Sequence, residues 1–297
     1  MVLKEKAAVV TGSGQGIGRA IAMALAREGA KVVVNNRSPE SKGGNAEETA
    51  KAIMEAGGEA IAVYGDVRQI ETCEKLIKTA IDRWGTIDIL VNNAGINQER
   101  MVWNIIEEDW DAVIDVNLKG TLGCTKFASA HMREQKKGRI LNVTSQAGLD
   151  GNPYMAVYSA SKAGVAGFTR SCAQALEKYG ITVNAIAPQA DTRMWRGASP
   201  ERAREMGVTR GLVTAEEVAA IPDHELYARI FGSVEDVSPI VVYLVSDHAA
   251  KINGQVFFKN KGSINLYAPW TQRKGIYKKG RWTYEELLSA LPVILTD

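Results

Sequence analysis

The chain starts with a short apolar segment, a glycine-rich turn and a helical pattern, and few folds accommodate that order. Ala7–Val10 has the composition of a buried strand, and Thr11–Gly18 (TGSGQGIG) follows it directly. Ile17, Ile21 and Leu25 then recur at helical spacing. Amides at a helix N-terminus can hold a phosphate, and glycines let a ligand approach the backbone. The pattern predicts a dinucleotide-binding unit, although such a turn can also be an ordinary loop.

The alternation of strands and helices continues along the chain. Six further strands are predicted at Lys31–Asn35, Ala60–Tyr64, Ile87–Val91, Ile140–Val143, Thr182–Ile186 and Gln255–Phe258. Helical segments separate them, including one over Asp109–Ser129. Such alternation is typical of an α/β fold, here a Rossmann-type, doubly wound parallel sheet of seven strands. Ligands of such sheets bind at the carboxyl ends of the strands.

The division of the chain follows from where this rhythm is interrupted. We expect a single Rossmann-fold domain over residues 1–262, in which residues 189–233 form a lid over the substrate. Residues 263–297 are predicted to be a C-terminal extension that packs on its own or on a neighbouring subunit. Within it, Thr283 and Glu286 form a capping box for a short helix that should end before Pro292.

Composition excludes several classes of protein. The 297 residues carry 36 basic and 34 acidic side chains without a block of one sign, which argues against nucleic acid or a membrane as partner. Three separated cysteines and three histidines have neither disulfide nor metal-ligand spacing, so no metal is expected. We see no signal peptide or bilayer-spanning apolar run. A cytoplasmic protein is therefore expected.

Ser145, Tyr158 and Lys162 are the candidate catalytic residues. Ser145 follows the strand Ile140–Val143, while Tyr158 and Lys162 stand four apart in a helical pattern, which places them on one helix face. A hydroxyl, a phenol and an ammonium at one place form a proton-transfer site. The lysine charge is expected to lower the tyrosine pKa. The alternative is a half-buried ring beside a solvated amine.

The end of the second strand indicates the cofactor. An acid at that position accepts both ribose hydroxyls of NAD, whereas an arginine pairs with the 2′-phosphate of NADP. Asn36 is neutral and Arg37 is adjacent, so NADP(H) is favoured and NAD(H) is the alternative. Gln15 adds no charge to the glycine turn. Asp66, which follows the third strand, can bond the adenine edge.

These motifs together resemble the short-chain dehydrogenase/reductase family over nearly the whole chain. The residues that carry the resemblance are Thr11, Gly12, Gly16, Gly18, Asn92–Gly95, Asn117, Ser145, Tyr158, Lys162 and Asn184–Pro188. Within the family the chain looks most like the (3R)-hydroxyacyl-CoA dehydrogenase unit of multifunctional enzyme type 2, through Val32–Asn35, Asn92–Arg100, Glu108–Asp111 and Pro188–Met194. Two residues depart from the family, Asn36 where NAD enzymes carry an acid and Gln189 where glycine is usual.

The resemblance implies hydride exchange between a nicotinamide and a secondary alcohol or ketone. It assigns proton transfer to Tyr158, the nicotinamide ribose to Lys162, the carbonyl oxygen to Ser145 and a proton-relay water to Asn117. The cofactor-binding positions that it implies are Gly12, Ser13, Gln15, Gly16, Ile17, Gly18, Asn36, Arg37, Asp66, Val67, Asn93, Ala94, Gly95, Tyr158, Lys162, Pro188 and Thr192.

The substrate and the assembly are less closely defined. The resemblance favours a 3-hydroxyacyl-CoA, and a bulky cyclic ketone, steroid-like or phenolic, is the alternative. Met194, Trp195, Met206 and Tyr227 could line a lid for either substrate or pack as ordinary core. A non-catalytic dinucleotide sensor or scaffold on the same fold is the competing function. By resemblance we expect a homo-oligomer, a tetramer or a dimer.

Overall fold

The structure is a computed structural model that describes residues 1–41, 44–193, 199–209, 213–269, 271 and 274–295. These residues form two compact units, Met1–Leu266 and Tyr267–Asp297. The strands are β1 Ala7–Val10, β2 Lys31–Asn36, β3 Glu59–Tyr64, β4 Ile89–Asn92, β5 Gly138–Val143, β6 Ile181–Gln189, β7 Val256–Asn260 and β8 Ser263–Tyr267. They form one sheet in the order β3-β2-β1-β4-β5-β6-β7-β8.

The predicted Rossmann-type α/β fold is confirmed, and the predicted number of strands is corrected from seven to eight. Strands β1 to β7 pair in parallel. β8 follows β7 after the two-residue turn Lys261–Gly262 and forms the edge of the sheet. Its apolar residues Ile264 and Leu266 are exposed. The sequence missed β8 because an edge strand needs only the backbone of its neighbour and no buried apolar run.

Helices cover both faces of this sheet, because successive strand residues point to opposite sides. The helices are α1 Gly16–Arg27, α2 Ala46–Glu55, α3 Ile70–Trp84, α4 Glu107–Ile114, α5 Gly120–Glu134, α6 Gln146–Asp150, α7 Ala156–Leu176, α8 Pro200–Thr209, α9 Ala215–Ala219, α10 Asp223–Phe231, α11 Ser238–Val245 and α12 Tyr284–Leu295. Val10 and Ile186 pack with α1, α2 and α11 on one face. Val9 and Val183 pack with α3, α5 and α7 on the other.

The single helix predicted over Asp109–Ser129 is in fact interrupted. α4 ends at Ile114, Asp115–Lys119 form a π-helical turn, and α5 starts at Gly120. Asn117 lies in the π turn and is completely buried. Apolar spacing alone did not reveal the interruption, because one wider turn barely changes which residues face the core.

The segment between β6 and α11 has a small core of its own. Helices α8, α9 and α10 bury a cluster consisting of Ala203, Val218, Ile221, Leu226, Ile230 and Phe231. Met206 and Tyr227 pack against that cluster, which is the ordinary core packing considered for them above. Met194 and Trp195, which were also assigned to a lid, lie outside the described residues.

The second unit contains α12. The Thr283 hydroxyl accepts from the Glu286 amide (3.3 Å) and a Glu286 carboxylate oxygen accepts from the Thr283 amide (2.8 Å), as the predicted capping box requires. The helix continues through Pro292 to Leu295 instead of ending before the proline. A proline near the helix end removes one backbone donor but still permits helical dihedrals. Among the described residues, no helix has the combined length and apolarity that crossing a bilayer requires.

Candidate active site

The turn after β1 is held by side chains within the protein. The Ser13 hydroxyl donates to the Val10 carbonyl oxygen (2.6 Å) and accepts from the Asn35 amide (3.0 Å). The Asn35 Oδ1 atom accepts from the Gly12 amide (3.1 Å). Ser13, a predicted cofactor contact, is fully buried, and its own amide donates to the Asn35 carbonyl oxygen. Its polar groups therefore support the shape of the turn.

One side of this turn is open and the other is closed. Gly16 has a φ of +54°, and a Cβ atom built there would meet nothing within 4 Å. A Cβ atom at Gly18 would lie 2.4 Å from Asn93 Nδ2. Gln15 and Ile17 are half-buried beside the opening. The free side, next to the first amides of α1, suits a pyrophosphate group.

The end of β4 is tied to the same turn. Asn93 Nδ2 donates to the carbonyl oxygens of Thr11 (2.9 Å) and Gly12 (3.1 Å). The backbone amides of Asn93 and Ala94 both donate to Thr11 Oγ1, each at 3.0 Å. The Asn93 carboxamide thus positions the glycine turn, a supporting role that the sequence did not reveal.

Ser145, Tyr158 and Lys162 converge where β5 ends and α7 starts. Ser145 is the N-cap of α6, and its hydroxyl accepts from the Ala147 amide (3.2 Å). The Lys162 ammonium donates to the Val143 carbonyl oxygen (2.8 Å) and lies 5.8 Å from the centre of the Tyr158 ring. The Thr144 hydroxyl donates to the Lys162 carbonyl oxygen (2.7 Å), which fixes α7 against the end of β5.

Asn117 reaches the same place from the π turn. Its Nδ2 donates to the Ile96 carbonyl oxygen (3.0 Å) and to Ser161 Oγ (3.0 Å), while its Oδ1 accepts from the Ile96 amide (2.9 Å). These bonds connect the loop after β4 to α7. A Cβ atom built on Gly95 would lie 3.3 Å from Asn117 Oδ1 and 3.4 Å from Lys162 Nζ, so the glycine keeps space free beside both groups.

Burial determines the electrostatics of the site. Lys162 is 3% exposed, and desolvation lowers its pKa to about 8. Burial also raises the pKa of Tyr158 above its ordinary value, and the neighbouring Ser145 side chain opposes that rise. Burial thus moves the tyrosine pKa in the direction opposite to the lowering expected from the lysine charge.

A second group of polar residues lies at the ends of β2 and β3. The Asn36 carboxamide donates to the Gly44 carbonyl oxygen (2.7 Å) and accepts from the Arg37 amide (2.9 Å). The Asp66 carboxylate is bound by Arg68 through Nε (2.9 Å) and Nη2 (2.7 Å). Arg68, with Arg37 further away, lowers the pKa of Asp66 against the opposing effect of burial.

Three predicted cofactor positions, Asp66, Arg37 and Val67, lie in or beside this group. The Asp66 carboxylate, assigned to the adenine edge, is bonded inside the protein by Arg68, which the sequence did not single out; the two-residue separation within a turn was the available signal. Arg37 is exposed. Val67, another predicted cofactor contact, is buried, and a Cβ atom on Gly120 would lie 2.8 Å from its Cγ2. Its side chain therefore packs against the start of α5.

At the end of β6, Pro188 and Thr192 are half-buried. The strand extends past the predicted Ile186 to Gln189, which pairs in register with Asn260 of β7. From α8, the Arg202 guanidinium donates to the Glu99 carboxylate and lies over the Tyr154 ring, 4.4 Å from its centre. Arg202 thus contacts the loop after β4 and the segment before α7, a contact between distant residues that no local pattern indicated.

Comparison with known proteins agrees with this geometry. Residues 6–203 match the short chain dehydrogenase family. A 3-oxoacyl-[acyl-carrier-protein] reductase of Synechocystis sp. is 42% identical over 263 residues, covering 88% of this chain and 98% of that protein. Hydroxyacyl-CoA dehydrogenase ChsB1 of Mycobacterium tuberculosis is 37% identical over 304 residues, covering 97% of this chain and 88% of that protein.

A crystal structure of a short chain dehydrogenase from Mycobacterium avium has a TM-score of 0.82 and 37% identity, covering 99% of this chain and 96% of its own. A putative short-chain alcohol dehydrogenase from Sinorhizobium meliloti has a TM-score of 0.75 and 35% identity, covering 88% and 96%. As its motifs predicted, the chain belongs to the short-chain dehydrogenase family of oxidoreductases, whose members use NAD(H) or NADP(H).

Proposed function

We propose that this oxidoreductase interconverts 3-oxoacyl and 3-hydroxyacyl thioesters of coenzyme A, with NADP(H) as the preferred cofactor. The observation that carries the proposal is the convergence of the Ser145 hydroxyl, the Tyr158 phenol and the buried Lys162 ammonium at the carboxyl end of β5. Reduction of a ketone requires a proton donor, and here a neighbouring hydroxyl and a buried cation accompany that donor.

Tyr158 is the acid–base residue in this proposal. Burial raises its pKa, so the phenol keeps its proton at neutral pH and can donate it to a carbonyl oxygen during reduction. Ser145 holds the same oxygen through its hydroxyl. Lys162, with a pKa of about 8, is still largely charged at pH 7 and stabilises the phenolate that remains. The bound cofactor supplies or accepts the hydride.

The residues present fit a nicotinamide dinucleotide. The open side at Gly16 would hold the pyrophosphate, and the space that Gly95 leaves beside Lys162 would admit the nicotinamide ribose. Asn117 uses both hydrogens of its amide group on Ile96 and Ser161. Its role in holding a relay water would therefore depend on its oxygen, which has one lone pair left beside the bond from the Ile96 amide.

The preference for NADP(H) rests on charge at the ends of β2 and β3. Arg37 is exposed, Asn36 is neutral, and the one nearby carboxylate named above, Asp66, is paired with Arg68. The group carries a net positive charge, which favours a 2′-phosphate. Arg37→Ser should lower kcat/KM for NADPH about tenfold and leave that for NADH within a factor of two. Higher efficiency of the unaltered protein with NADH would contradict this preference.

The choice of coenzyme A rests on the relatives. The 3-oxoacyl-[acyl-carrier-protein] reductase and the hydroxyacyl-CoA dehydrogenase both act, by their names, on acyl thioesters. The match to the dehydrogenase leaves about nine residues of this chain outside it, so it includes most of the region 263–297. The match to the reductase leaves about 36 residues outside. Most of the C-terminal extension is therefore matched by the hydroxyacyl-CoA dehydrogenase.

For the assembly, we propose a homo-oligomer.

The test is Tyr158→Phe, measured with a 3-oxoacyl-CoA and NADPH. Loss of a general acid typically costs about 10²–10⁴-fold, and we expect a fall of that size in kcat with unchanged equilibrium binding of NADPH. Tyr243→Phe, a half-exposed tyrosine on α11, is the matched control. Retained turnover in Tyr158→Phe would overturn the assignment. Binding of NADPH without turnover of any thioester or cyclic ketone by the unaltered protein would favour the sensor or scaffold alternative.

A further inference from the structure

Gln189 is an unusual residue at the carboxyl edge of the sheet. It is the last residue of β6 and is 2% exposed. Its Nε2 donates to Gln146 Oε1 (3.1 Å), and Gln146 directly follows Ser145. In this contact Gln189 contributes its amide nitrogen and Gln146 its oxygen. The Gln189 Oε1 atom is buried, with no hydrogen-bond partner in the described part of the chain.

Asn260, on the next strand, also has a buried amide oxygen without a donor among the described residues. It is the Cα partner of Gln189 in the β6–β7 ladder and is 7% exposed. Its Oδ1 is also buried, and no donor from the described ranges reaches it. Partners in neighbouring strands are about 4.8 Å apart and their side chains share one face of the sheet. Two uncharged acceptors therefore lie on the same face of neighbouring strands, and no described residue donates to either one.

Position connects these acceptors with the catalytic groups. Side chains alternate along a strand, so Gln189 lies on the same face of β6 as Val183, and α7, which carries Tyr158 and Lys162, packs on that face. The Asp191 amide donates to the Gly232 carbonyl oxygen (2.8 Å), which brings both ends of the α8–α10 segment together beside Gln189. A Cβ atom on Gly232 would lie 2.9 Å from Lys261 Cγ, next to Asn260.

A buried amide oxygen without a donor destabilises the fold by an amount comparable to a lost hydrogen bond, and such atoms are uncommon in native proteins. Two of them in register, one on a residue whose partner Gln146 directly follows Ser145, indicate a place where a ligand completes the hydrogen bonds. Both acceptors are uncharged carboxamide oxygens, so a neutral hydrogen-bond donor suits them. An amide group with its N–H atoms has this chemistry.

We propose that Gln189 and Asn260 form an acceptor subsite that binds an amide N–H group of a molecule in the active site, with Gln146 holding the Gln189 carboxamide in place. Two molecules implied by the proposed function, on which this inference rests, bring such a group: the carboxamide of the nicotinamide and the amides of an acyl-CoA. The subsite makes Gln189 a specificity-determining residue for the reaction.

The experiment compares Gln189→Met, which keeps the side-chain volume but removes the acceptor, with Gln135→Met. Gln135 is a matched control, because its amide nitrogen also makes part-buried hydrogen bonds, to the carbonyl oxygens of Ile87 and Lys137, near the amino ends of the strands. Equilibrium dissociation constants of NADPH, KM for a 3-oxoacyl-CoA and melting temperatures are measured for both variants. The loss of one hydrogen bond should raise either the Kd for NADPH or the KM for the thioester about five- to tenfold.

If the Kd for NADPH rises in Gln189→Met and not in Gln135→Met, the nicotinamide carboxamide is the group that donates to the subsite. That rise should disappear with the 3-acetylpyridine analogue of the cofactor, which lacks the amide N–H. A higher KM for the thioester with an unchanged Kd identifies the substrate as the source. If Gln189→Met binds and turns over both ligands like the control, the two carboxamides are structural and the proposal is wrong.

The unaltered protein provides a test that does not depend on folding of a variant. It should bind the 3-acetylpyridine analogue several-fold more weakly than NADPH, or show a several-fold higher KM for a thioester whose amides are replaced by esters. Equal values in both comparisons would overturn the subsite. Failure of the proposed function is distinguishable, because a protein that reduces no thioester can still show the Gln189-dependent difference in NADPH binding.

Discussion

The candidate catalytic groups and the α8–α10 segment are held in the protein by different physical means. Lys162 and Asn117 are almost or completely buried and are fixed by hydrogen bonds to the backbone of the main sheet and its loops. The α8–α10 segment has its own small core and contacts the cleft loops through Arg202, Glu99 and Tyr154, which are partly exposed. The candidate catalytic groups are therefore buried and bonded to the backbone, whereas the contact made by α8 depends on partly exposed charges that salt can screen.

The largest effect that this comparison predicts concerns Lys162→Met. We expect turnover to fall by about 10²–10³-fold, because the charge that stabilises the phenolate is lost. The free energy of unfolding should rise by about 1–2 kcal/mol at pH 7. The fall of the lysine pKa from 10.5 to about 8 corresponds to about 3 kcal/mol, and the unpaired Val143 carbonyl offsets part of that gain. Kinetics and urea denaturation measure both effects. A less stable variant would show that burial of the ammonium is not costly.

The lowered pKa of Lys162 also makes the free energy of unfolding depend on pH. Because the folded-state pKa of Lys162 lies below the unfolded value, the unfolded chain binds more protons between about pH 8 and 10.5. This residue therefore makes the protein more stable as pH rises through that range, and Lys162→Met should lose that contribution. Denaturation curves of both proteins at pH 7 and pH 9.5 provide the comparison.

Asn117→Ala should remove the hydrogen bonds that hold the loop after β4. The variant leaves the Ile96 amide and carbonyl without their partners, and we expect a loss of about 2–4 kcal/mol in the free energy of unfolding. Turnover should fall at least about tenfold, because the loop that carries Gly95 is no longer tied to α7. A stability change below about 0.5 kcal/mol would mean that these hydrogen bonds contribute little. Urea denaturation and steady-state kinetics decide.

The pH dependence of reduction tests whether the charge of the buried Lys162 controls the rate. Above about pH 8, Lys162 loses its proton while Tyr158, whose pKa is raised, keeps its own. Hence kcat/KM for reduction should decline up to about tenfold per pH unit above 8. Lys162→Arg keeps a charge at all these pH values and should remove the decline. A decline that persists in that variant would assign it to another group.

The smallest effect is expected at the surface contact. Arg202→Ala should raise KM for the acyl substrate about three- to fivefold with little change in kcat, as expected from one exposed ion pair and one cation–π contact. The KM of the unaltered protein should rise with salt and that of the variant should not. Arg229→Ala, which removes an ion pair with Glu225 within α10, is the control. An unchanged KM in Arg202→Ala would show that this contact does not act on substrate binding.

Much of the candidate site could be predicted from the sequence because its signals are local. Tyr158 and Lys162 are four apart on one helix, and Ser145 follows a strand, so their convergence needed only a parallel sheet. Arg68, Gln146 and Arg202 were not found, because each acts through a residue that is distant in sequence or in an irregular turn. The π turn at Asn117 was missed for a related reason: apolar periodicity records which side is buried and not the number of residues in each turn.

The sequence by itself determined the alternation of strands and helices and the family, and it supplied the candidate proton-transfer residues, since these depend on spacing within single elements and on the order of motifs. Only the tertiary structure decided the direction of the pKa shifts of Tyr158 and Lys162 and left the Gln189 and Asn260 oxygens buried without a donor among the described residues. Those properties depend on how completely water is excluded and on which distant groups meet. Both follow from packing of the whole chain, which no short stretch of residues specifies.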